Sequence, residues 1–373
     1  MSRATSAVIN LHALRHNLRR IRTLAPKARI MAVVKANAYG HGIAQVAQTL
    51  AAADAFAVAC LEEALEIRQA GLAHPIVLLE GVFRAAELEE AARSGCELVV
   101  HDDSQLALLE HSKLQHNLGV WLKIDSGMHR LGFPPSKTQA VWQRLNQARA
   151  VRKPVRLMTH LASADETSNP RTQLQLETFA ACTRNLTAER SIANSAGIIA
   201  WPDSHGDWVR PGILLYGVSP FAGRCGAQEG LIPAMTMGTT LISVQQVSKG
   251  EAVGYGGAWV APEDMRIGIA AIGYGDGYPR HAPNGTPVLV SGERAWLVGR
   301  VSMDMIAVDL RGLPHAKTGD PVMAWGAELP VEEIARAAGT IPYELLCGVT
   351  QRVKFSLVDE SAPSVKAQGG VSA

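Results

Sequence analysis

From about residue 11 to residue 225 the chain repeats one phrase, a short apolar run followed by a stretch with helical spacing. The runs are RIMAVVK, AFAVAC, PIVLLE, ELVV, GVWLKID, VRLMTH, RSIANS and WVRPGILLYG, eight in all. Between them lie amphipathic segments such as GIAQVAQTLAAA, in which Ile43, Val46, Ala47 and Leu50 share one helical face. LEEALEIRQAG, AAELEEAARSG and DSQLALLEHSKLQ follow the same pattern, and Asp103 or Ser104 is placed to cap the last of these. Runs this apolar suit strands buried on both faces, hence a parallel sheet. Their alternation and number predict an α/β fold, a TIM-like (β/α)8 barrel over residues 10–228, with an open doubly wound sheet as the alternative.

After about residue 230 the rhythm changes. MTMGTTLISVQQV, MRIGIAAIGY, TPVLVSGERAWLV, MIAVDL and DPVMAWG are β-type runs separated by Gly, Pro and Asp. Only PVEEIARAAG reads clearly as a helix, with Pro330 at its start and Gly339 past its end. A second, mostly β domain over residues 229–360 is predicted, and the opening SAVIN, within residues 1–9, is expected to join its sheet. Residues 361–373, rich in small and polar side chains, read as a disordered tail.

Composition narrows the class of function. Lys and Arg number 36 against 34 Asp and Glu, a net charge of +2, with no block of like charges. Nothing steers such a chain toward nucleic acid or an acidic membrane surface, so a small substrate is expected. No apolar run of roughly 18 residues marks a membrane span, and the N-terminus lacks the pattern of a secretory signal. The five cysteines are scattered and form no CxxC pair, which points to reduced thiols in the cytoplasm and away from a metal site.

In a (β/α)8 barrel the working groups stand at the C-terminal ends of the strands. Reading those ends in order gives Lys35, then Lys123 and Asp125 with Arg130 just beyond, His160, Asn194 with Ser195, and Arg210. A mouth this basic suits an anionic ligand. Lys35 has two readings: a strand-end lysine snorkelling into water, or a Schiff-base lysine whose amine pKa is lowered by burial and neighbouring cations. The company of Lys123, Arg130 and Arg210 favours the second. Barrels of this class often hold a phosphate after strands seven and eight. Here those strands run into NSAG and RPGILLYG, where Ser195 offers a hydroxyl and Gly212 and Ile213 offer amides. GYGDGY, by contrast, lacks the spacing of a dinucleotide fingerprint and has no helix after it. No G-x-S-x-G, H-E-x-x-H or G-K-[ST] motif is present.

Taken in order, AVVKANAYGHG, KIDSGMHRLG, THLASADE, NSAG, VRPGILLYG, GYGGAW, GYGDGYPR, GRVSMDM and YELLCGVTQRV resemble the alanine racemase family along nearly the whole chain. That resemblance implies a cytoplasmic, homodimeric, pyridoxal 5'-phosphate-dependent enzyme that interconverts L- and D-alanine. Position by position, it implies that Lys35 carries the cofactor, that Tyr39, Tyr343, Ser195, Gly212 and Ile213 hold its phosphate, and that Arg210 faces its pyridine nitrogen. Lys35 and Tyr255 would be bases on opposite faces of the substrate, with Tyr255 and Met303 supplied by the partner subunit. Arg130 and Met303 would bind the substrate carboxylate, supported by Lys123, a position open to carbamylation in this family, and by His160, Tyr274 and Asp304. Two departures from commoner family spellings stand out, Gly275 where alanine is frequent and Ser302 where cysteine is frequent. Neither removes a group the chemistry needs. The rival enzyme readings are a related barrel decarboxylase, which places an acidic group where Arg210 stands, and a racemase of broader substrate range. A single-domain cofactor-binding barrel is the rival from another class, and it would lack the β-rich segment after residue 230.

Overall fold

The computed structural model describes residues 4–360. The predicted tail, 361–373, and the first three residues of the predicted segment 1–9 lie outside the described residues. After the opening strand β1 (Ser6–Asn10), eight parallel strands close into a barrel. They are β2 (Arg29–Val33), β3 (Ala55–Val58), β4 (Ile76–Leu78), β5 (Cys96–Val100), β6 (Leu118–Lys123), β7 (Val151–Met158), β8 (Arg190–Ser191) and β9 (Trp208–Val209). Each falls on one of the eight apolar runs. The β2–β9 pairing, Ile30 beside Val209, closes the ring and rules out the open sheet. Side chains of β3, β5 and β6 are buried at every position, as strands covered on both faces require.

The end of the barrel where strands begin is plugged by aromatic and charged side chains. Trp121, fully buried, donates its Nε1–H to Glu97 Oε2 at 2.9 Å. The same carboxylate accepts from Arg156 at 2.7 Å and from Arg152 at 2.9 Å. Glu189 accepts from Arg156 Nε and Trp208 Nε1, both at 3.0 Å, and the Arg29 guanidinium lies 4.1 Å from the Trp208 ring centroid. Helices Ile43–Thr49, Leu61–Gln69, Ala85–Arg93 and Asp103–His111 follow β2 to β5 as expected. The cap of the last corrects the sequence reading: Asp102 is the extended residue, and its carboxylate accepts from Ser104 N at 2.8 Å. Asp103 already lies within the helix, and its carboxylate pairs with Lys137 at 3.2 Å and Arg144 at 3.7 Å.

The second unit is an eight-stranded sheet ordered β13-β16-β15-β14-β17-β10-β1-β18, in which β10 also pairs with β13. Its strands are β10 (Met235–Val247), the two-residue pair β11 (Ala252–Val253) and β12 (Trp259–Val260) set apart as a hairpin, β13 (Met265–Ala270), β14 (Pro287–Val290), β15 (Glu293–Val298), β16 (Ile306–Asp309), β17 (Pro321–Trp325) and β18 (Lys354–Val358). SAVIN joins this sheet, antiparallel to β10 and parallel to β18. Helix Val331–Ala337 stands where predicted. A second short helix, Pro342–Cys347, and the edge strand β18 were not foreseen. Edge strands bury little, so β18 carries no apolar run long enough to betray it.

By internal contacts the barrel unit comprises Asn17–Leu215 and Pro220–Ala222, and the β-rich unit comprises the chain up to His16, Tyr216–Ser219 and the chain from Gly223 on. Glu332 explains the place of Tyr216–Ser219. Its buried carboxylate accepts from the amides of Ser219 at 3.0 Å and Gly226 at 2.8 Å, tying this segment to the β-rich unit. Among the described residues no helix is long and apolar enough to cross a membrane.

Candidate active site

The lysine at the end of β2 enters an unusual turn. Ala36, Asn37, Ala38 and Tyr39 all have φ between 52° and 53°, a left-handed helical turn built from side-chain-bearing residues. Each such residue costs roughly 1–2 kcal/mol, so the turn persists only because its surroundings hold it. Ala38 N donates to Val34 O at 2.9 Å and Gly42 N to Asn37 O at 3.0 Å, while the Asn37 side chain accepts from Ile43 N at 2.9 Å. Glu63 clamps the start, accepting from Ala36 N at 2.7 Å and from Ala59 N, at the end of the next strand, at 2.8 Å. Lys35 directly precedes this turn and Tyr39 is its last left-handed residue.

The other strand ends converge on this lysine. Arg210 is buried and donates to Ser191 Oγ at 2.7 Å, Thr159 O at 2.6 Å and Ile192 O at 3.3 Å. Burial pushes its guanidinium down to about 10, which leaves it charged at neutral pH. Its Nη2 also lies 3.5 Å from His160 Nδ1. A guanidinium can only donate, so Nδ1 accepts and neutral His160 carries its proton on Nε2. Burial, followed by the charges of Arg210, Lys123, Arg130 and Lys35, holds this imidazole well below its usual range. Lys123, 8% exposed, is pushed down to about 8 by burial and then by Arg210, Arg130 and Lys35. Arg130 sits on a loop shaped by Asp125, whose carboxylate accepts from the amides of Gly127, Met128 and His129 at 3.0 Å each. Burial pushes Asp125 up, but those amides and the His129 ring outweigh it and hold it below the usual range. Gly132 at φ 129° closes the loop, since a Cβ there would strike the Asp125 backbone. Lys123, Asp125, Arg130 and His160 line one cleft.

A second cluster forms after β8 and β9. Asn194 caps helix Ser195–Ala200 by accepting from Gly197 N at 3.0 Å. Ser195 Oγ accepts from Gly212 N at 3.0 Å. Gly212 has to be glycine, because a Cβ would overlap the Tyr39 hydroxyl. Ile213 opens a short 3-10 turn (Ile213–Tyr216), so its amide has no acceptor within that turn. Thus the barrel unit brings together Lys35, Tyr39, Lys123, Arg130, His160, Ser195, Arg210, Gly212 and Ile213.

The remaining predicted residues belong to the β-rich unit. Tyr255 stands at the tip of the β11–β12 hairpin, 67% exposed, flanked by Gly254, Gly256 and Gly257, all at positive φ. Tyr274 N donates to Ser302 O at 3.0 Å and Gly275 N to Met303 O at 2.9 Å, so the two loops run side by side. Arg352 links them, donating to Asp304 at 2.6 Å and pairing with Asp276 at 3.2 Å. A Cβ on Gly275 would meet the Met303 carbonyl at 3.0 Å and crowd Arg352, so this departure from the family spelling permits a close approach. Tyr343 lies in the first turn of helix Pro342–Cys347. Sequence reasoning missed Glu63, Ser191, Thr159 and the buried pair Ser126 and Gln175. The one local signal was Thr159 and Ser191 lying on the very strands read as buried, where a hydroxyl needs a partner.

Two family models cover most of the chain, "Alanine racemase, N-terminal domain" over residues 9–220 and "Alanine racemase, C-terminal domain" over residues 234–357. The alanine racemase of Nitrosococcus oceani is 56% identical over 93% of this chain and 97% of its own length. That of Halorhodospira halophila is 52% identical over 96% and 99%. Among solved structures, the biosynthetic alanine racemase of Pseudomonas aeruginosa matches with a TM-score of 0.93 at 50% identity, covering 95% of this chain and 99% of the other. The Acinetobacter baumannii alanine racemase matches at 0.90 and 39% identity, covering 95% and 100%. With barrel, β-rich unit and strand-end residues all in family order, the chain belongs to the alanine racemase family.

Proposed function

We propose that this chain is a cytoplasmic, pyridoxal 5'-phosphate-dependent racemase that interconverts L-alanine and D-alanine in a homodimer whose subunits share their active sites. The observation that carries the reading is a lysine held in a strained turn beside a cluster of cations. Among the described residues, Lys35, Lys123, Arg130 and Arg210 have no carboxylate within the 4.0 Å of an ion pair. A site that holds four cations clear of any ion pair is complementary to an anion carrying several charges.

The residues present fit the cofactor. Gly212, stripped of a Cβ beneath the Tyr39 hydroxyl, together with Ser195 Oγ and the Ile213 amide, makes a donor-rich hollow suited to its phosphate, and Tyr343 is assigned there too. When bound through Lys35, the cofactor supplies an electron sink that acidifies the Cα–H of the substrate. Arg210 is assigned to the pyridine nitrogen; it keeps its own protons at neutral pH and gives that nitrogen none. A weaker sink favours prompt return of the proton to Cα, which is racemisation.

Inversion needs a proton taken from one face and another delivered to the opposite face. The Lys35 amine serves one face and Tyr255 of the partner subunit the other. A phenol has a pKa near 10, so Tyr255 needs help to act as a base. His160 supplies it: with Nδ1 engaged by Arg210, its Nε2–H is the proton left to donate to the phenolate. The exposure of Tyr255 on a glycine-flanked hairpin tip supports a role toward another chain. Arg130 and the Met303 amide bind the substrate carboxylate, and Tyr274 restricts the side-chain pocket to a methyl group. The Arg352–Asp304 pair steadies Met303. Lys123, whose amine is partly neutral near pH 8, is able to take up carbon dioxide as a carbamate and release a proton, turning a repelling neighbour of Arg130 into an orienting one.

Mixing subunits tests the shared site. Lys35→Ala and Tyr255→Ala homodimers should each be inactive, and their heterodimer, with one complete site, should recover up to about half of the wild-type rate per complete pair of sites. Heterodimers that form and stay inactive would refute the reading.

A further inference from the structure

Beneath the mouth of the barrel lies a buried polar chain that the proposed chemistry does not use. Gln175, on helix Arg171–Thr183, is 3% exposed. Its Oε1 accepts from Ala162 N at 2.8 Å, and its Nε2 donates to His160 O at 3.0 Å and to Ser126 Oγ at 3.3 Å. The amide orientation follows from chemistry, since the Ala162 N–H needs an acceptor and the His160 carbonyl needs a donor. Ser126 Oγ lies 2.8 Å from Thr159 Oγ1, and Thr159 Oγ1 donates to Ile124 O at 2.9 Å. With the Thr159 proton spent on Ile124, Ser126 must be the donor to Thr159. The protons therefore run one way, from Gln175 to Ser126 to Thr159 to Ile124, and successive bonds reinforce one another.

This chain joins the two loops on which the substrate reading depends. Ile124 and Ser126 begin the loop that carries Arg130. Thr159 and His160 directly follow β7, and the Thr159 carbonyl is an acceptor for Arg210. Gly127, at φ 136°, packs against Gln175, where a Cβ would come within 3.3 Å of its Cγ. We infer that Gln175 is a positioning residue for the racemase reaction, fixing the separation between Arg130 and the His160–Arg210 pair by holding both loops to one helix. The inference rests on the substrate-binding role proposed above for Arg130.

Gln175→Met keeps the length of the side chain and removes all three bonds; Gln175→Glu keeps the acceptor for Ala162 and faces the His160 carbonyl with an oxygen instead of a donor. In the cofactor-loaded dimer, assayed well below its melting temperature, Gln175→Met should lower kcat/KM about tenfold or more, chiefly through KM, because displacement of a binding group by a fraction of an ångström suffices. The inhibition constant of propanoate, a carboxylate of alanine's size without the amine, should rise in parallel. Ser126→Ala should reproduce the same split more weakly with the helix untouched. Unchanged KM and propanoate binding in the Gln175 variants, or losses that track only the folded fraction, would overturn the inference. Should the Met variant not fold, Gln175→Glu and Ser126→Ala carry the same test. Arg130→Met is the control: if propanoate binding survives it, the assignment of Arg130 fails and not the role of Gln175.

Discussion

The two ends of the barrel treat positive charge in opposite ways. Where the strands begin, Arg29, Arg152 and Arg156 are matched by Glu97 and Glu189, and the tryptophans beneath them donate to the same carboxylates. Where the strands stop, Lys35, Lys123, Arg130 and Arg210 crowd one another; Glu80 is the smallest influence on Lys123, and none of the four cations forms an ion pair among the described residues. The first arrangement satisfies its own charges and needs nothing further. The second is electrostatically incomplete: the charges of Arg210, Arg130 and Lys35 add to burial in holding the Lys123 amine down. A fold keeps such a defect at the end where ligands bind, and keeps the neutralised end for stability.

That contrast can be broken by substitution. At the mouth, Lys35→Ala should cut racemisation by about 10³-fold or more while leaving the melting temperature of the cofactor-free protein unchanged or higher, since a repelling charge is removed. Calorimetry beside the activity assay decides it, and a marked fall in stability would mean that Lys35 is a structural residue. At the other end the effects should exchange places. Glu97→Gln leaves Arg152 and Arg156 facing a neutral amide; Arg152 is exposed and Arg156 keeps Glu189, so the cost should be that of a charge-assisted hydrogen bond, about 2 kcal/mol. Denaturant unfolding should register that loss, with kcat at low temperature near wild type.

The last effect sharpens the comparison through pH. Lys123 titrates near 8 in the folded chain and near 10.5 when unfolded. Between those values the unfolded state binds more protons, so stability should rise with pH from about 8 to 10.5. The rise should be on the order of 2 kcal/mol in carbonate-free buffer, and Lys123→Met should flatten it. A slope that survives the substitution would place the titrating group elsewhere.

Which of these features were legible in the sequence depends on how far apart their partners lie. Apolar periodicity is a local record of burial, and it located all eight barrel strands and the joining of SAVIN to the β-rich sheet. The order of basic residues at strand ends followed at once, because strand polarity in a barrel decides which end each residue reaches. The cap at Asp102 was missed by one residue, since three adjacent polar residues offer nearly equal local choices. The β11–β12 hairpin was missed because its two-residue strands carry no pattern.

Sequence by itself determined the barrel, the β-rich companion and the identity of the groups at the mouth, for these follow from side-chain type and spacing along the chain, and the motifs in their order carried the resemblance to the family. Tertiary structure alone decided how those groups are held. Glu63 reaches Ala36 across 27 positions, Gln175 reaches Ser126 across 49, and the left-handed turn at Ala36–Tyr39 contradicts what alanine and tyrosine prefer on their own. Such bonds exist only after the barrel has closed, when distant backbone amides become the nearest partners that a half-buried carboxylate or a buried carboxamide can find.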